Sequence, residues 1–324
     1  MGIWKKKWGI RVKYKEIFQA ENAQEVVQKL KLNPQNTVIL AGGTDIMVKA
    51  RTRDWYGNFD VIDISGVTEW KNICVENGKI HIGPLVTITQ LLNSEIVCRN
   101  AEVLWKACGT FGVPQIRNRA TIGGNLANAC LAADTIPALC VLKAQLQIDG
   151  VNGEYTIEAS ELLKSAPACL NHEEMAVSTC FYGIPAGKKT ILSPGEVITD
   201  IRIPIQTETY VTYFEKVGRK RVGCMSKFTV AAALWIDQGI VKDLRLSIGA
   251  AFSDIRLLSE SCEEVIGKPY EAEQMKRLSE QLGERIVAQQ KKPNDELRYK
   301  AEVCKRLLPV VLSEMKQESE RRFS

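Results

Sequence analysis

The sequence predicts an α+β protein in two parts: mixed strands and helices first, then a three-stranded meander followed by helices. Three observations carry this. Short β-like runs alternate with amphipathic stretches from residue 10 to about 205. Three longer strand-like runs then follow in succession, and the chain beyond residue 257 takes a helical period. The length of 324 residues agrees, being long for one core and short for three.

Each element follows from local pattern. Glu21 to Leu32 carries Val26, Val27 and Leu30 on one helical face. Thr37 to Leu40 reads as a buried strand, Asp45 to Arg53 as a helix and Asp60 to Ile64 as another strand. Ile73 to Val75 and Lys79 to Ile82 flank Glu-Asn-Gly, a hairpin signal. Thr87 to Leu92, Val103 to Cys108 and Thr135 to Lys143 are helix candidates, and Glu196 to Ile203, closed by Pro204, is a strand. After a boundary near Ile205-Gln206-Thr207 come strands over Tyr210 to Val217, Lys227 to Ile236 and Leu244 to Ala251, with Asp237-Gln238-Gly239 as the turn between the last two. Helices are predicted over 257–266, 271–289 and 294–318, with Pro293 beside the last start. The expected division is a basic tail over 1–9, a first domain over 10–206 and a second over 207–324.

Composition removes several function classes. Hydrophobic residues at 45% and charged residues at 25% are globular values, and no apolar run approaches the roughly 20 residues that span a bilayer. The net charge of +5 is supplied by the first twenty residues, where Lys5, Lys6, Lys7, Arg11, Lys13 and Lys15 face only Glu16. A solvated tail accounts for that better than a nucleic-acid surface. The start Met-Gly-Ile-Trp-Lys-Lys-Lys has no secretory pattern, so the expected location is cytoplasmic. Ten scattered cysteines contain no Cys-x-x-Cys, and His81 and His172 are the only histidines, too few for serine–histidine chemistry or a multi-histidine metal centre.

Two glycine turns carry the chemistry. An apolar strand runs into Gly42-Gly43, after which Thr44 and Asp45 open a helix. Without Cβ atoms the glycines can converge backbone N–H groups on an anion beside a helix N-terminus. An ordinary capped turn also fits these residues. Gly-x-Gly-x-x-Gly is absent, which disfavours a nicotinamide-binding fold. The second turn, Gly123-Gly124, lies between Thr121 and Asn125, and two such loops could grip one pyrophosphate. Asp134 reads either as a helix N-cap or as a ribose contact, and Arg117 and Arg119 either as phosphate partners or as tethers of loop carbonyls.

The strings Leu-Ala-Gly-Gly-Thr-Asp (40–45) and Pro-Gln-Ile-Arg-Asn-Arg-Ala-Thr-Ile-Gly-Gly-Asn (114–125) resemble the FAD-binding medium subunit of the molybdenum hydroxylases, the family of xanthine dehydrogenase and carbon monoxide dehydrogenase. Likeness continues through Ala-Ala-Asp (132–134), Leu-Ser-Pro-Gly-Glu-Val-Ile (192–198) and Phe-Glu-Lys (214–216), covering nearly the whole chain. The resemblance implies a two-lobed FAD domain of the vanillyl-alcohol-oxidase or PCMH type, followed by a smaller α+β domain. It makes Ile39, Leu40, Ala41, Gly42, Gly43, Thr44, Asp45 and Ile46 the first FAD loop, and Thr121, Ile122, Gly123, Gly124 and Asn125 the second. Asp134 would contact the ribityl or ribose hydroxyls, Phe111 would line the pocket, and Ile198 and Lys216 would approach the flavin from its far end. An exposed strand lysine is the plain alternative for Lys216.

The implied activity is oxidoreductase electron transfer without a catalytic side chain: electrons pass from iron–sulfur clusters of a partner through FAD to an acceptor such as NAD+. A small 2Fe–2S subunit and a large molybdopterin subunit would be the partners, with no nucleic acid and no membrane. A stand-alone FAD oxidase or dehydrogenase is the alternative, but it needs a base near the flavin that the sequence does not offer. Two departures stand out. Cys224 occupies a position where relatives usually carry Asp, and the stretch 164–188, with Cys169 and Cys180, is an insertion. Two cysteines cannot complete a 4Fe–4S cluster, so no metal is expected there.

Overall fold

The computed structural model describes residues 16–48, 59–163, 190–206, 209–219, 223, 225–253, 255 and 257–323. The basic start, the far end of the helix expected over 45–53, the 164–188 insertion with Cys169 and Cys180, and Cys224 lie outside the described residues.

The first elements build a small lobe. Strands β1 (Ile17–Gln19) and β2 (Thr37–Leu40) both pair parallel with β3 (Asp60–Asp63), in the order β1-β3-β2. Helix α1 (Ala23–Leu32) is capped by Asn22, whose side chain accepts from the Glu25 N–H. Its stripe of Val26, Val27 and Leu30 packs with Ile62 and Trp70, as the helical spacing predicted.

A second lobe is an antiparallel sheet of β4 (Ile73–Glu76), β5 (Lys79–Ile82), β6 (Gln145–Gly150), β7 (Tyr155–Glu158) and β8 (Glu196–Pro204), ordered β4-β5-β8-β6-β7. Asn77 and Gly78, at φ of 49° and 72°, make the left-handed pair that the expected hairpin requires. Between β5 and β6 the chain winds through α2 (Ile88–Leu92), α3 (Glu95–Asn100), α4 (Glu102–Thr110), α5 (Pro114–Arg117), α6 (Ile122–Asn128) and α7 (Thr135–Val141). Ile122, Leu126, Ile136 and Leu139 from these helices share one core with Leu146, Ile148 and Ile201 from the sheet.

The meander is β9 (Val211–Gly218), β10 (Ser226–Asp237) and β11 (Ile240–Gly249), antiparallel in the order β11-β10-β9. Gln238 and Gly239, at φ of 49° and 76°, close the turn between the last two. One face, with Phe228, Val230, Ala232 and Leu234, packs on helices α9 (Ala272–Ala288) and α10 (Asp295–Phe323). The other face meets α7, where it presents the small side chains of Thr229, Ala231, Ala233 and Ser247, with Gly249 at the end. A Cβ on Gly249 would stand 3.1 Å from Pro137 Cγ, so helix and sheet are in direct contact there. Further along that face, Arg245 donates to the Val141 carbonyl (3.3 Å) and to Gln206 Oε1 (3.1 Å), and its guanidinium lies 4.4 Å from the Tyr210 ring centre.

Three expectations are corrected. The helix expected over 257–266 is reduced to α8 (Ser259–Cys262), because both ends of that stretch pair with β11 instead: Leu258 N–H donates to Leu246 and Gly267 N–H to Val241. The last helix runs to Phe323, five residues past the predicted end, with Pro309 inside it. Strands β1, β6 and β7 and helices α3, α5 and α6 are additions to the elements that the sequence predicts.

Candidate functional site

Strand β2 delivers the first loop to the rim of the small lobe. The Leu40 carbonyl accepts from Ile64, Ile39 and Ala41 pack against the lobe core, and a helical turn opens at Ile46. Gly43 sits at φ +74°, where a side chain is strained. A Cβ on Gly42 would overlap the carbonyl oxygen of Arg119, so glycine is what allows the loop to abut Arg119 and Ala120, just ahead of the second loop. The two sequence-predicted loops are therefore neighbours. The N–H groups of Gly42, Gly43 and Thr44 have no partner among the described residues, which leaves them available to an anion.

The second loop differs from expectation. Ile122 N–H donates to Val86 (2.9 Å), Gly123 to Pro84 (3.0 Å), Gly124 to the Thr121 hydroxyl (3.1 Å) and Asn125 to the Thr121 carbonyl (2.9 Å). Thr121 caps α6 and the 84–86 segment takes the rest, so no backbone nest remains. What this loop can offer an anion is side-chain donors: the Thr121 hydroxyl proton and the Asn125 amide. Asn125 Oδ1 accepts from the Thr135 hydroxyl, which ties α6 to the start of α7.

Asp134 and Lys216, 82 positions apart, are brought together. Lys216 Nζ lies 2.6 Å from Asp134 Oδ2 and 3.1 Å from the Thr110 carbonyl at the end of α4, and both side chains of the pair are only 6% exposed. This corrects both plain alternatives. Asp134 precedes α7 but makes no capping bond, because its carboxylate is turned to the meander, and Lys216 is not an exposed strand lysine. Ser226 donates to the other carboxylate oxygen. Burial raises the Asp134 pKa above the ordinary carboxylate value, and Lys216 and Ser226 oppose that rise. Beside it, burial and then the Asp134 charge push the Cys108 thiol up to about 12, against the pull of Arg117.

The remaining predicted residues spread around this centre. Phe111 ends α4, and its carbonyl accepts from Arg117 Nη1 (3.0 Å), as does that of Gly112 (3.2 Å), so Arg117 is a tether of loop carbonyls. Ile198 is 3% exposed in β8, laddered to Ile148, on the strand against which α6 packs. In the same string Glu196 is structural, accepting from Asn152 (2.7 Å), Tyr155 (2.9 Å) and the Ser193 N–H (2.6 Å). Ser226 is the residue that sequence reasoning missed, and nothing in its local pattern signals it.

A family model described as the FAD binding domain in molybdopterin dehydrogenase matches residues 12–206. The chain is an FAD-binding subunit of the molybdenum hydroxylase family. The nicotinate dehydrogenase FAD-subunit of Eubacterium barkeri is 29% identical to this FAD-binding subunit over 73% of the chain and 74% of its own length. The glyceraldehyde dehydrogenase medium chain of Sulfolobus acidocaldarius is 25% identical over 83% and 86%. A carbon monoxide dehydrogenase structure from Hydrogenophaga pseudoflava superposes with a TM-score of 0.78, 22% identity and coverage of 94% of this chain and 98% of that one, a likeness of fold. The FAD-binding subunit is thus an oxidoreductase flavoprotein subunit with FAD as its cofactor. The residues present fit that group: free N–H donors at Gly42 to Thr44 and two side-chain donors across the contact suit a pyrophosphate. Among the described residues no helix is long and apolar enough to cross a membrane, and no cluster of potential metal ligands occurs.

Proposed function

We propose that this subunit carries electrons between iron–sulfur clusters on a partner subunit and an acceptor such as NAD+, within an assembly that also holds a large molybdopterin subunit. Bound FAD would supply the redox chemistry, exchanging electrons with one-electron and two-electron partners in turn. The chain supplies position. In this reading residues 39–46 and 121–125 hold the pyrophosphate, Asp134 meets the ribityl or ribose hydroxyls, and Phe111, Ile198 and Lys216 border the flavin. The FAD domain would extend over 10–206 and the second domain over 207–324, with Lys216 reaching the site from the second. The name medium chain borne by the Sulfolobus relative supports a small and a large partner.

The observation that carries the reading is the contact of Gly42 with residues 119–120, which brings the loop with three free N–H groups against the segment that leads into Thr121. FAD is expected to bind non-covalently, since neither loop has a histidine to tether the ring. Acid precipitation should release all flavin from the reconstituted chain. Flavin retained by the denatured pellet, or a chain that FAD cannot reconstitute, contradicts the reading. Dithionite-reduced chain mixed anaerobically with NAD+ tests the acceptor: recovery of the oxidised flavin spectrum is expected, and no recovery removes NAD+.

A further inference from the structure

The bond from Ser226 to Asp134 depends on an irregularity in the sheet. Along β10, Thr229 pairs with Lys216 and Phe228 with Val217, but the next recorded pair is Ser226 with Gly218, so Ser226 and Lys227 share one partner position. That is a β-bulge, and bulges re-aim side chains. Strict alternation from Phe228, which faces the α9–α10 core, would turn Ser226 to that side as well. The slip sets it opposite Gly218 instead, on the face of Lys216, where it is 6% exposed and donates to Asp134 Oδ1. Lys227 leaves in the other direction, its Nζ 3.0 Å from Glu296 on α10.

We propose that Ser226 is a positioning residue: with Lys216 on one oxygen and Ser226 on the other, the meander holds the Asp134 carboxylate in one orientation toward the FAD site. This rests on the reading above that Asp134 belongs to that site. A carboxylate with both oxygens held cannot rotate about its last bond, so its remaining lone pairs keep a fixed direction for a hydroxyl donor. The groups facing Asp134 are the Lys216 ammonium and the Ser226 hydroxyl from the meander and the Cys108 thiol from α4, which stays protonated. Both hydrogen bonds to the carboxylate come from the meander, one to each oxygen, and removing the hydroxyl should free one of them.

The test uses the full chain with Ser226→Ala, Ser226→Thr and Asp134→Asn. Ser226→Ala should weaken FAD about tenfold in a fluorescence titration, the loss of one hydrogen bond to a charged group. In the FAD-free chain it should move the Asp134 side-chain carbon-13 titration, assigned by its loss in Asp134→Asn, to higher pH by about one unit. Ser226→Thr, which keeps the hydroxyl, should restore both. An unchanged Asp134 titration in Ser226→Ala overturns the positioning role whatever FAD does. A shifted titration with parental FAD affinity in both Ser226→Ala and Asp134→Asn overturns the placement of Asp134 in the FAD site, on which the proposal rests.

Discussion

Gly42-Gly43 and Gly123-Gly124 are the same dipeptide in two loops that touch, yet the second residue of each has a different task. The first glycines are alike: a Cβ on Gly42 would overlap Arg119, and one on Gly123 would lie 2.8 Å from the Pro84 carbonyl oxygen. Both exist so that backbones can meet. Gly43 then takes a left-handed conformation and leaves its N–H free, whereas Gly124 sits in the first turn of α6 with its N–H spent on Thr121. What separates them is the threonine. Thr121 precedes its glycines and takes the Gly124 N–H as a cap, while Pro84 takes that of Gly123; Thr44 follows its glycines and cannot cap them. Position of a capping residue relative to the turn decides whether the second glycine's N–H stays free or is spent on a helix start.

Breaking the shared feature should have the largest effect. Gly42→Ala forces backbone apart from backbone and should cost about 3 kcal/mol or more, lowering Tm by roughly 6 °C. Thermal unfolding followed by circular dichroism checks this, and a Tm within a degree or two of the parent would show that the loops need no close approach. Gly43→Val addresses the nest itself. It should abolish FAD retention, read as the flavin-to-protein ratio after gel filtration, while costing only about 1–2 kcal/mol of stability. Parental retention would remove the first loop from the pyrophosphate site.

A third experiment uses the link from the second loop, through Asn125 and Thr135, to Asp134. Because the folded pKa of Asp134 is raised, the folded chain keeps a proton that the unfolded chain has released. The contribution of this group is therefore full below the ordinary carboxylate pKa and falls as pH rises through the raised value. Asp134→Asn should flatten the dependence of urea-unfolding free energy on pH above the ordinary carboxylate range, where the parent loses stability as pH rises. Parent and variant curves that run parallel would contradict this. The smallest effect belongs to Gly124→Ala. The added Cβ would stand 2.9 Å from the Thr121 hydroxyl and disturb the cap, a loss of about 1 kcal/mol, but alanine regains about as much in helix propensity. Stability should stay within about 0.5 kcal/mol, and FAD should weaken only severalfold through the displaced hydroxyl; a collapse like that of Gly42→Ala would erase the distinction drawn here.

Features set by a few adjacent residues were readable in advance. Asn77-Gly78 and Gln238-Gly239 announce their hairpins because their left-handed pairs are local requirements. The stripe of α1 follows from the helical period alone. The short helix α6 was not readable, since two glycines depress its propensity and its start is held by Pro84 and Val86, nearly forty positions earlier. In the site, the loops and their glycines could be found, while the spending of the second loop's donors could not. Lys216 and Asp134 are each legible as candidates, but their pairing is a long-range event. Ser226 was hidden for a sharper reason: period-two reasoning gives its side chain the wrong face wherever a bulge intervenes.

The small-residue face of the meander has a consequence for modularity. Thr229, Ala231, Ala233, Ser247 and Gly249 form a shallow seat in which α7 rests, with Arg245 fastened to the last carbonyl of that helix. A break in the chain near residue 206 is thus not a break in the packing, and Phe214, Ala231 and Ala233 belong to the same core as Ile136 and Leu139. Two halves exchanged between relatives at that point would each bring a seat or a helix cut to another partner's dimensions. The unit that recombination or engineering can transplant is the seat together with its helix, so the heritable module of this subunit is larger than the stretch a sequence comparison marks out.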